Sequence, residues 1–348
     1  MESIAIKIDI KKAEKVRKIL LKKKLLRKDL KFIKDENYIY LPIKKFRDEK
    51  ISYLTVKKDF KEYKKKITNY KQKVDIPNKL KMNLPKSYDI IGKIILIKLK
   101  KGLLSYKINI GNALLSTKKN IETVCLIHPI HGEYRKRKVE IIAGIKQTKT
   151  IHNEYGLKFI VDVKKVYFSP RLANERKRIS KLVKHGETIL DMFTGIAPFS
   201  IMIGRYSEPK IIYAIDKNKD AIKLAKLNVK LNNLLDKIEV ICEDAGKIKN
   251  LFNKNGIKAD RIIMNLPFSG YLFFKNALEI AANNCIIHYY DILNRLEIDN
   301  RVKYLQKISN ESGYNIYFNQ IKKIKTYSPR VFYIGIDIIA RKIGADVA

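Results

Sequence analysis

The sequence predicts an α/β protein: a C-terminal doubly wound, Rossmann-like sheet with an antiparallel terminal hairpin, preceded by two small α+β modules. From about residue 170 onward, apolar runs alternate with segments of helical periodicity, which is typical of parallel strands joined by helices. Two β-rich runs, 315–327 and 331–340, follow the last helical segment and predict the hairpin. The residues before 170 lack this alternation.

The chain is expected to contain four segments. We predict an N-terminal α+β domain at 1–65, a basic linker at 66–83, a middle α+β domain at 84–168 and a C-terminal α/β domain at 169–348. The linker is predicted because this part of the chain is rich in lysine and poor in aliphatic residues, which is typical of a solvated segment.

The two N-terminal domains are predicted mainly from short β-rich runs. In the first domain, residues 2–10, 32–33 and 38–43 predict strands, and 11–26 predicts a basic helix. In the middle domain, we expect strands in 90–99, which Gly92 interrupts, a pair in 123–144 joined by a turn at Gly132, and a further pair in 148–168.

The C-terminal domain is predicted from its alternating pattern. Strands are expected at 188–193, 211–216, 237–242, 261–266 and 285–290, and helices at 172–184, 199–205, 219–232 and around 272–282. A further helix is expected before the terminal hairpin. Strands that alternate with helices in this way form a parallel sheet with helices on both faces.

Composition indicates a globular protein of the cytoplasm. The 348 residues are 46% hydrophobic and 31% charged, and no apolar run approaches the length of a membrane span. The N-terminus becomes polar too early for a signal peptide. Three cysteines lie far apart, without histidines at ligand spacing, so we expect neither a disulfide framework nor a metal site.

The net charge points to a polyanionic partner. Lysine and arginine number 74 against 35 aspartate and glutamate, which leaves a net charge of +39. A nucleic acid and a membrane surface are both candidates, but no amphipathic basic helix with aromatic anchors favours the membrane. More than half of the excess lies in the first 165 residues, so we expect much of the binding there. Biased composition alone also raises the lysine content, since isoleucine and asparagine are abundant too.

Three aspartates follow three successive predicted strands. Asp191 ends the first, Asp216 ends the second, and Asp244 follows the third, while Gly195 allows a tight turn close to a ligand. One such aspartate more often caps a helix. Three at the carboxyl edge of a parallel sheet favour a site for an adenosine-type ligand, because ligands bind at that edge and a carboxylate there accepts from ribose hydroxyls.

The fourth strand ends at Asn265, which Pro267 follows. Proline cannot extend the ladder, so we expect the amide of Asn265 at the rim of the cleft, where its donor and acceptor can read a base edge. A complete G-x-G-x-x-G motif is absent, which argues against a nicotinamide dinucleotide. The phosphate-binding motif of nucleoside triphosphatases is absent too.

Several blocks of sequence resemble a known family. The set 191–200, 214–216, 243–245 and 265–267 looks like a class I S-adenosylmethionine-dependent methyltransferase. With GEYRKRKVEIIAG (132–144), TIHNEYGLKFIVDVKKVYFSPRLANER (150–176), IIHYY (286–290), YSPR (327–330) and NYIYLPIK (37–44), the chain resembles the archaeal and eukaryotic tRNA (guanine-37 N1)-methyltransferase family over nearly its whole length.

The resemblance implies an activity and a set of site residues. The two N-terminal domains would bind tRNA, without an obligate protein partner, and the C-terminal domain would methylate N1 of guanosine 37 with S-adenosylmethionine as cofactor. The catalytic residues implied are Glu175 as general base, Arg135 against guanine O6, and Asn265 on the guanine edge. The cofactor residues are Asp191, Phe193, Gly195, Asp216, Asp244, Asn265 and Arg171, and the substrate residues are Tyr167, Ser169, Pro170, Arg137 and Pro267.

These residue types suit the chemistry. Guanine N1 carries a proton and is a poor nucleophile until a base removes it. The negative charge then spreads to O6, where an arginine is a natural stabiliser.

Two departures leave other activities open. Ala197 stands where the family's cofactor loop has a second glycine, and Phe268-Ser269-Gly270-Tyr271 replaces a segment that the family often begins with lysine. Methylation of the tricyclic wyosine precursor at carbon 7, alone or as a second activity, is one alternative. Aminocarboxypropyl transfer to that base is another, and an RNA-binding protein with a degenerate cofactor pocket is a third.

Overall fold

The computed structural model describes residues 1–44, 53–62, 69–131 and 136–344, and the side chains of 129–131 and 136–137 are not described. The chain divides into two compact units, Met1–Gln72 and Lys73–Ala348. The middle and C-terminal parts of the chain therefore belong to one unit.

The described residues of the N-terminal unit include an antiparallel sheet and a helix that packs on it. Its elements are β1 (Glu2–Asp9), α1 (Ala13–Lys22), β2 (Ile33–Lys34), β3 (Tyr38–Pro42) and β4 (Thr55–Asp59), with the sheet in the order β2-β3-β1-β4. Val16 and Leu20 of α1 pack on Ile6 and Ile8 of β1. The helix is shorter than the predicted 11–26, because Lys24 adopts a φ of +57° and turns the chain.

The middle part of the chain contains a four-stranded sheet, two short helices and one longer helix. Its elements are α2 (Tyr70–Lys73), α3 (Asn78–Lys81), β5 (Asp89–Ile91), β6 (Ile94–Ile97), α4 (Lys107–Thr117), β7 (Thr123–His131) and β8 (Lys136–Gly144), and the sheet order is β5-β6-β7-β8. Two short helices thus lie within the predicted linker, 66–83. The sequence did not predict α4, whose apolar residues do not form a clear helical stripe.

A two-stranded sheet formed by β9 (Lys149–Glu154) and β10 (Leu157–Asp162) follows. It packs on a helix of the C-terminal part, where the amide of Asn228 accepts from the backbone N–H of Ile160 at 2.7 Å. The hairpin predicted to close the middle domain therefore packs on the C-terminal part of the chain.

The C-terminal part forms the predicted doubly wound sheet. Its strands are β11 (Thr188–Asp191), β12 (Ile211–Asp216), β13 (Ile238–Cys242), β14 (Ala259–Met264), β15 (Ala281–Asn294), β16 (Tyr314–Ser328) and β17 (Val331–Lys342). Its helices are α5 (Ala173–Ser180), α6 (Pro198–Tyr206), α7 (Lys219–Leu231), α8 (Ile248–Lys254), α9 (Phe274–Ile280) and α10 (Ile298–Glu311).

The order of these strands places the site. The sheet runs β13-β12-β11-β14-β15-β17-β16, with parallel pairing from β13 to β15 and antiparallel pairing in the terminal hairpin. The order reverses between β11 and β14, which creates a crevice beyond the carboxyl ends of those strands. Buried side chains on both faces of the sheet form its two cores.

Among the residues that the structure describes, no helix has the length and apolar character needed to span a bilayer. These described residues also contain no cluster of histidine, cysteine and carboxylate side chains that could hold a metal ion.

Candidate active site

Asp191 lies at the carboxyl end of β11, and its side chain is buried. Its Oδ2 accepts hydrogen bonds from the hydroxyls of Thr194 and Ser200, both at 2.8 Å. Its Oδ1 is buried and has no hydrogen-bond partner within the described parts of the chain. Burial raises the pKa of Asp191 to about 6, although the two hydroxyl donors oppose the change. A buried acceptor without a partner is expected where a ligand completes a site.

The loop after β11 turns on two residues with left-handed backbone conformation. Gly195 has a φ of +58°, and a Cβ added there would meet no atom within 4 Å, so open space lies beside its backbone. Its N–H donates to Oδ2 of Asp216 at 2.8 Å and ties the loop to the end of β12. Ala197 also adopts left-handed values, with φ 65° and ψ 35°, and it is completely buried. The alanine is therefore accommodated in the conformation that a glycine would adopt.

The other two aspartates lie at the ends of neighbouring strands. Oδ1 of Asp216 accepts from the N–H of Asn218 at 2.9 Å, and burial raises the pKa of Asp216 despite this bond. Asp244 accepts from the N–H of Gly246 at 2.8 Å, and its Oδ2 lies 3.7 Å from Nζ of Lys217.

These residues fit a positively charged adenosine derivative. The ring of Phe193 packs edge to face on Phe273, with the centroids 5.3 Å apart, and forms an apolar wall in the same loop. Carboxylates follow β11, β12 and β13, and one of their buried oxygens still needs a donor. A ligand with ribose hydroxyls and a positive charge satisfies both requirements.

Glu175 lies in the first turn of α5 and is buried, with 4% of its surface exposed. The hydroxyl of Tyr290 donates to Oε1 of Glu175 at 2.9 Å, and Nε of Arg178 donates to Oε2 at 3.0 Å. The next residue, Arg176, is also buried and donates to Glu154 of β9 at 2.8 Å. Because this ion pair anchors α5, the carboxylate of Glu175 has a fixed position.

Asn265 follows β14 and is joined to Glu175 through two tyrosines. The hydroxyl of Tyr333 donates to Oδ1 of Asn265. The ring of Tyr333 contacts the ring of Tyr290, with the centroids 6.1 Å apart. A continuous chain of contacts, Glu175–Tyr290–Tyr333–Asn265, therefore connects α5 to the carboxyl end of β14 beside the switch point.

A buried network of charged groups supports Glu175. Arg178 bridges Glu175 and Asp337, with its Nη1 2.7 Å from Oδ2 of Asp337. His288 contacts the other oxygen of Asp337 at 2.6 Å through Nδ1, and its Nε2 lies 2.7 Å from Nη1 of Arg261. Burial by itself raises the pKa of Asp337, but the hydrogen bonds from His288 and Arg178 outweigh it and hold the pKa well below its usual value. Arg261 can only donate, so Nε2 of His288 accepts and Nδ1 carries the proton.

Two lysines of β16 complete the surroundings. Nζ of Lys322 lies 4.0 Å from Oε2 of Glu175. Nζ of Lys325 contacts the hydroxyl of Ser169 at 3.4 Å and lies 4.9 Å from the ring centre of Tyr333. The sequence assigned no role to these lysines or to the two tyrosines, because their approach depends on how β15, β16 and β17 pair. It assigned none to Arg178 either, although Arg178 lies one turn after Glu175 on α5.

The remaining predicted residues have varied positions. Ser169 is buried, Tyr167 and Pro170 are partly buried, and Pro267 is buried in the turn after Asn265. Nε of Arg171, predicted to bind cofactor, donates to Asp89 of β5 at 2.6 Å in this structure. Arg135 lies outside the described residues, and the side chain of Arg137 is also outside them.

Comparison with known protein families gives matches along most of the chain. Residues 150–317 match the TRM5/TYW2 methyltransferase domain, residues 71–148 the TYW2 N-terminal domain, and residues 5–51 the tRNA methyltransferase 5 N-terminal domain. The catalytic match includes the strands that carry Asp191, Asp216 and Asn265.

Three relatives of the chain are named for three different reactions at position 37 of tRNA. The chain is 34% identical to the Pyrococcus abyssi tRNA (guanine(37)-N(1))-methyltransferase Trm5b, over 96% of this chain and 98% of that protein. It is 33% identical to the Pyrococcus horikoshii tRNA(Phe) (4-demethylwyosine(37)-C(7)) aminocarboxypropyltransferase, over 76% of this chain and 92% of that protein. It is also 30% identical to the Saccharolobus solfataricus tRNA 4-demethylwyosine(37)-methyltransferase Taw21, over 73% and 94%.

Solved structures agree with these matches. The crystal structure of Trm5b from Pyrococcus abyssi has a TM-score of 0.79 at 33% identity, over 97% of this chain and 99% of that one. A complex of aTrm5 with tRNALeu has a TM-score of 0.73 at 32% identity, with the same coverage. Methanocaldococcus jannaschii TYW2 in complex with AdoMet has a TM-score of 0.57 at 28% identity, over 74% of this chain and 100% of that one.

These findings confirm the predicted fold class, the methyltransferase activity and S-adenosylmethionine as the cofactor. The residue roles stay predictions. With relatives of this identity over almost its entire length, the chain belongs to the TRM5/TYW2 methyltransferase family.

Proposed function

We propose that this protein transfers a methyl group from S-adenosylmethionine to N1 of guanosine 37 in tRNA. The observation that carries the proposal is the chain of contacts that links Glu175 to Asn265 through the Tyr290–Tyr333 ring contact. A buried carboxylate linked in this way to an amide suits a base whose edge is read while its proton is removed. The full-length similarity to a protein named for this reaction also supports it.

Glu175 is the proposed general base. Tyr290 and Arg178 hold its carboxylate, so the carboxylate requires little reorganisation when the guanine arrives. The N1 proton passes to this carboxylate, and negative charge develops on O6. Lys322 and Lys325 provide positive charge near Glu175 and Ser169. Arg135 is proposed to contact O6 directly, on the resemblance of its motif alone.

Asn265 is proposed to hold the guanine edge. Because Tyr333 donates to its Oδ1, the NH₂ group of the amide is oriented to donate to an acceptor on a base. Pro267 stiffens the following turn. We also retain the proposed substrate contacts of Tyr167, Ser169, Pro170 and Arg137 in this cleft.

When bound, S-adenosylmethionine supplies an electrophilic methyl group. Asp191, Asp216 and Asp244 would hold it, with Gly195 and Phe193 shaping the loop beside it, and Arg171 is proposed to contribute from the segment before α5. The net charge of +39 suits a tRNA substrate, because lysine and arginine neutralise its phosphates.

Aminocarboxypropyl transfer, or C7 methylation of the wyosine precursor, is the second candidate. Residues 71–148 match the TYW2 N-terminal domain, and relatives that act on 4-demethylwyosine are 30–33% identical to this chain. The N1 reaction is favoured because the relative named for it matches the chain over its full length, including the Trm5-type domain at residues 5–51.

The decisive experiment identifies both the transferred group and the atom that receives it. Unmodified tRNA transcripts with G37 or A37, and tRNA that carries 4-demethylwyosine, are incubated with enzyme and S-adenosylmethionine, and the digested nucleosides are analysed by mass spectrometry. We expect 1-methylguanosine from the G37 transcript and no product from the A37 control. Transfer to 4-demethylwyosine without any to G37 would refute the proposal.

A further inference from the structure

The turn after Asn265 holds Phe268 in an unusual backbone conformation. Phe268 has a φ of +78°, in the left-handed region that glycine adopts readily and a bulky side chain does not. Gly270, two residues later, donates its N–H to the carbonyl of Leu266 at 2.7 Å and closes the turn. Such strain persists only where surrounding contacts maintain it, and it is frequent in ligand sites.

A buried acid maintains this conformation. Asp291 is completely buried, and its Oδ1 accepts from the N–H of Phe268 at 3.0 Å and from the N–H of Ile292 at 2.8 Å. Its Oδ2 accepts from the hydroxyl of Tyr289 and lies 3.4 Å from Nε of Arg301. The backbone of Phe268 is therefore attached to the sheet through β15.

The strained turn exposes an aromatic ring. Phe268 is 50% exposed, and it contacts Tyr327 of β16, which is 53% exposed. The two rings pack edge to face, with their centroids 5.8 Å apart and an angle of 77° between the planes. Burial would normally stabilise such side chains. A strained backbone that leaves the ring of Phe268 half exposed is expected where that ring contacts a bound molecule.

The pair lies beside the candidate active site. Phe268 is three residues beyond Asn265, so their Cα atoms are at most about 11 Å apart. Tyr327 lies on the strand that brings Lys322 near Glu175 and Lys325 near Ser169. Glu175 is buried, whereas the aromatic pair is open to solvent. The region thus has an enclosed part for the reacting base and an exposed aromatic shelf with lysines nearby.

We propose that Phe268 and Tyr327 form a stacking platform for the unpaired nucleobase next to the target guanine in the RNA loop. The proposal rests on the proposed function, since it requires a loop nucleotide as the substrate. Exposed aromatic rings combined with lysines are the usual means of holding single-stranded bases, because every base has a face that stacks. The neighbouring base, which stays at the surface when the target guanine enters the cleft, matches the half-open position of the pair.

The test combines protein and RNA variants. Phe268→Ala and Tyr327→Ala remove a ring, and Phe268→Trp retains a stacking face. Tyr317→Ala is the matched control, since Tyr317 lies on β16 and is 51% exposed. Affinity for S-adenosylhomocysteine and thermal unfolding establish that each variant is folded. Initial rates of methyl transfer are measured on intact tRNA transcripts and on transcripts with an abasic nucleotide on the 5′ or the 3′ side of the target.

We expect Phe268→Ala to raise KM for intact tRNA by about tenfold, the change that loss of one base–aromatic stack produces. We expect kcat to change by less than about twofold in the same assay, because the stacked base holds the RNA and takes no part in the reaction. Tyr317→Ala should resemble the wild type, and Phe268→Trp should restore KM. On the transcript that lacks the stacked base, the wild type and Phe268→Ala should have the same KM.

Three results would overturn the platform. KM for Phe268→Ala and Tyr327→Ala could equal that of the wild type. The loss could persist on both abasic transcripts, which would place the ring on the target base itself. A decrease in kcat at unchanged KM would make Phe268 a residue that positions Asn265. Product analysis of the wild type separates these results from failure of the proposed function: if another nucleotide is modified, abasic sites beside that nucleotide decide the stacking question.

Discussion

The two halves of the candidate site satisfy their carboxylates in different ways. In the cofactor half, formed by Asp191, Gly195, Asp216 and Asp244, the direct donors to Asp191 and Asp216 are hydroxyls and backbone N–H groups. In the base half, formed by Glu175, Arg178, Tyr290 and Asp337, an arginine bridges the two carboxylates. Burial raises the pKa of Asp191 and Asp216, whereas His288 and Arg178 hold the pKa of Asp337 low.

The cofactor half therefore needs a ligand to satisfy its carboxylates, whereas the carboxylates of the base half are satisfied by side chains of the protein. A buried carboxylate with an unpartnered oxygen is unfavourable until a positive charge or a donor arrives. S-adenosylmethionine carries a sulfonium and an ammonium group, so its binding should stabilise the cofactor half. The base half already has its counter-charges and should keep its geometry with or without the cofactor. Substitutions in the base half should therefore change turnover, and substitutions in the cofactor half should change the affinity for the cofactor.

The largest expected effect is on turnover, in the base half. Glu175→Gln removes the proton acceptor but retains the shape of the side chain, so kcat should fall by about 10²- to 10⁴-fold. The affinity for S-adenosylhomocysteine, measured by calorimetry, should stay unchanged because the cofactor half is intact. Glu279→Gln is the control, since Glu279 is paired with Lys249 and has no contact with Glu175 or its partners among the described residues. Normal turnover of Glu175→Gln would show that another group accepts the proton.

The next effect is on stability, again in the base half. Arg178→Met leaves Glu175 and Asp337 without their shared counter-charge, and breaking a buried ion pair costs about 3–5 kcal/mol. Denaturant unfolding should show this loss in the free energy of unfolding. The control Lys249→Met breaks an exposed pair and should cost less than about 1 kcal/mol. A loss for Arg178→Met as small as that of the control would mean that the network contributes nothing to stability.

The sequence predicted the cofactor half better than the base half. An aspartate ends both β11 and β12 after an apolar run; β12 has the predicted bounds, and β11 ends at Asp191, two residues before the predicted end at 193. These positions depend on local pattern and on the general rule for parallel sheets. The strand-end pattern indicated Asn265 and the family resemblance named Glu175, but neither identified the groups that hold these two side chains.

The sequence assigned no role to Tyr290 and Tyr333, because their contacts depend on pairing between strands that lie far apart in the chain. Tyr290 lies in a predicted strand, yet its contact with Glu175 joins positions 115 residues apart. Tyr333 reaches Asn265 only because β17 pairs antiparallel with β15 in a register that no local pattern specifies. The sequence also missed α4, whose apolar residues form no clear stripe, and the seven-residue α8. It extended α1 beyond Lys22, because no local pattern predicted the left-handed turn at Lys24.

A third prediction concerns the unpartnered oxygen of the cofactor half. Asp191→Asn removes the negative charge near the cofactor, so the affinity for S-adenosylmethionine at pH 8 should fall by about 10- to 100-fold. The ligand-free variant should be more stable than the wild type at pH 8, by up to about 3 kcal/mol, because the buried charge that raises the pKa of Asp191 is gone. Calorimetry and denaturant unfolding measure the two quantities.

The pH dependence has a defined sign. Since the pKa of Asp191 is raised to about 6 in the folded protein, the folded state binds more protons than the unfolded chain between pH 4 and 6. Wild-type stability from this group therefore falls as the pH rises through that window and is constant above it. The stability advantage of Asp191→Asn should disappear near pH 4. An advantage that is independent of pH would show that charge is not its cause.

The smallest expected effect comes from Ala197. Replacing it with glycine relieves a left-handed alanine, worth about 1–2 kcal/mol, but loses about 0.8 kcal/mol of buried methyl and about 0.4–1 kcal/mol through the freer unfolded chain. These contributions nearly cancel, so the free energy of unfolding should change by less than about 1 kcal/mol. The methyl group is completely buried in the core, so the affinity for S-adenosylhomocysteine should also stay the same. Gly195→Ala provides the contrast, because its added methyl group enters the open space beside the loop. It should weaken the binding of S-adenosylhomocysteine about tenfold. Tighter binding by Ala197→Gly would instead show that the methyl group of Ala197 hinders the cofactor. The affinity of the cofactor half would then depend on its shape as well as on its charge.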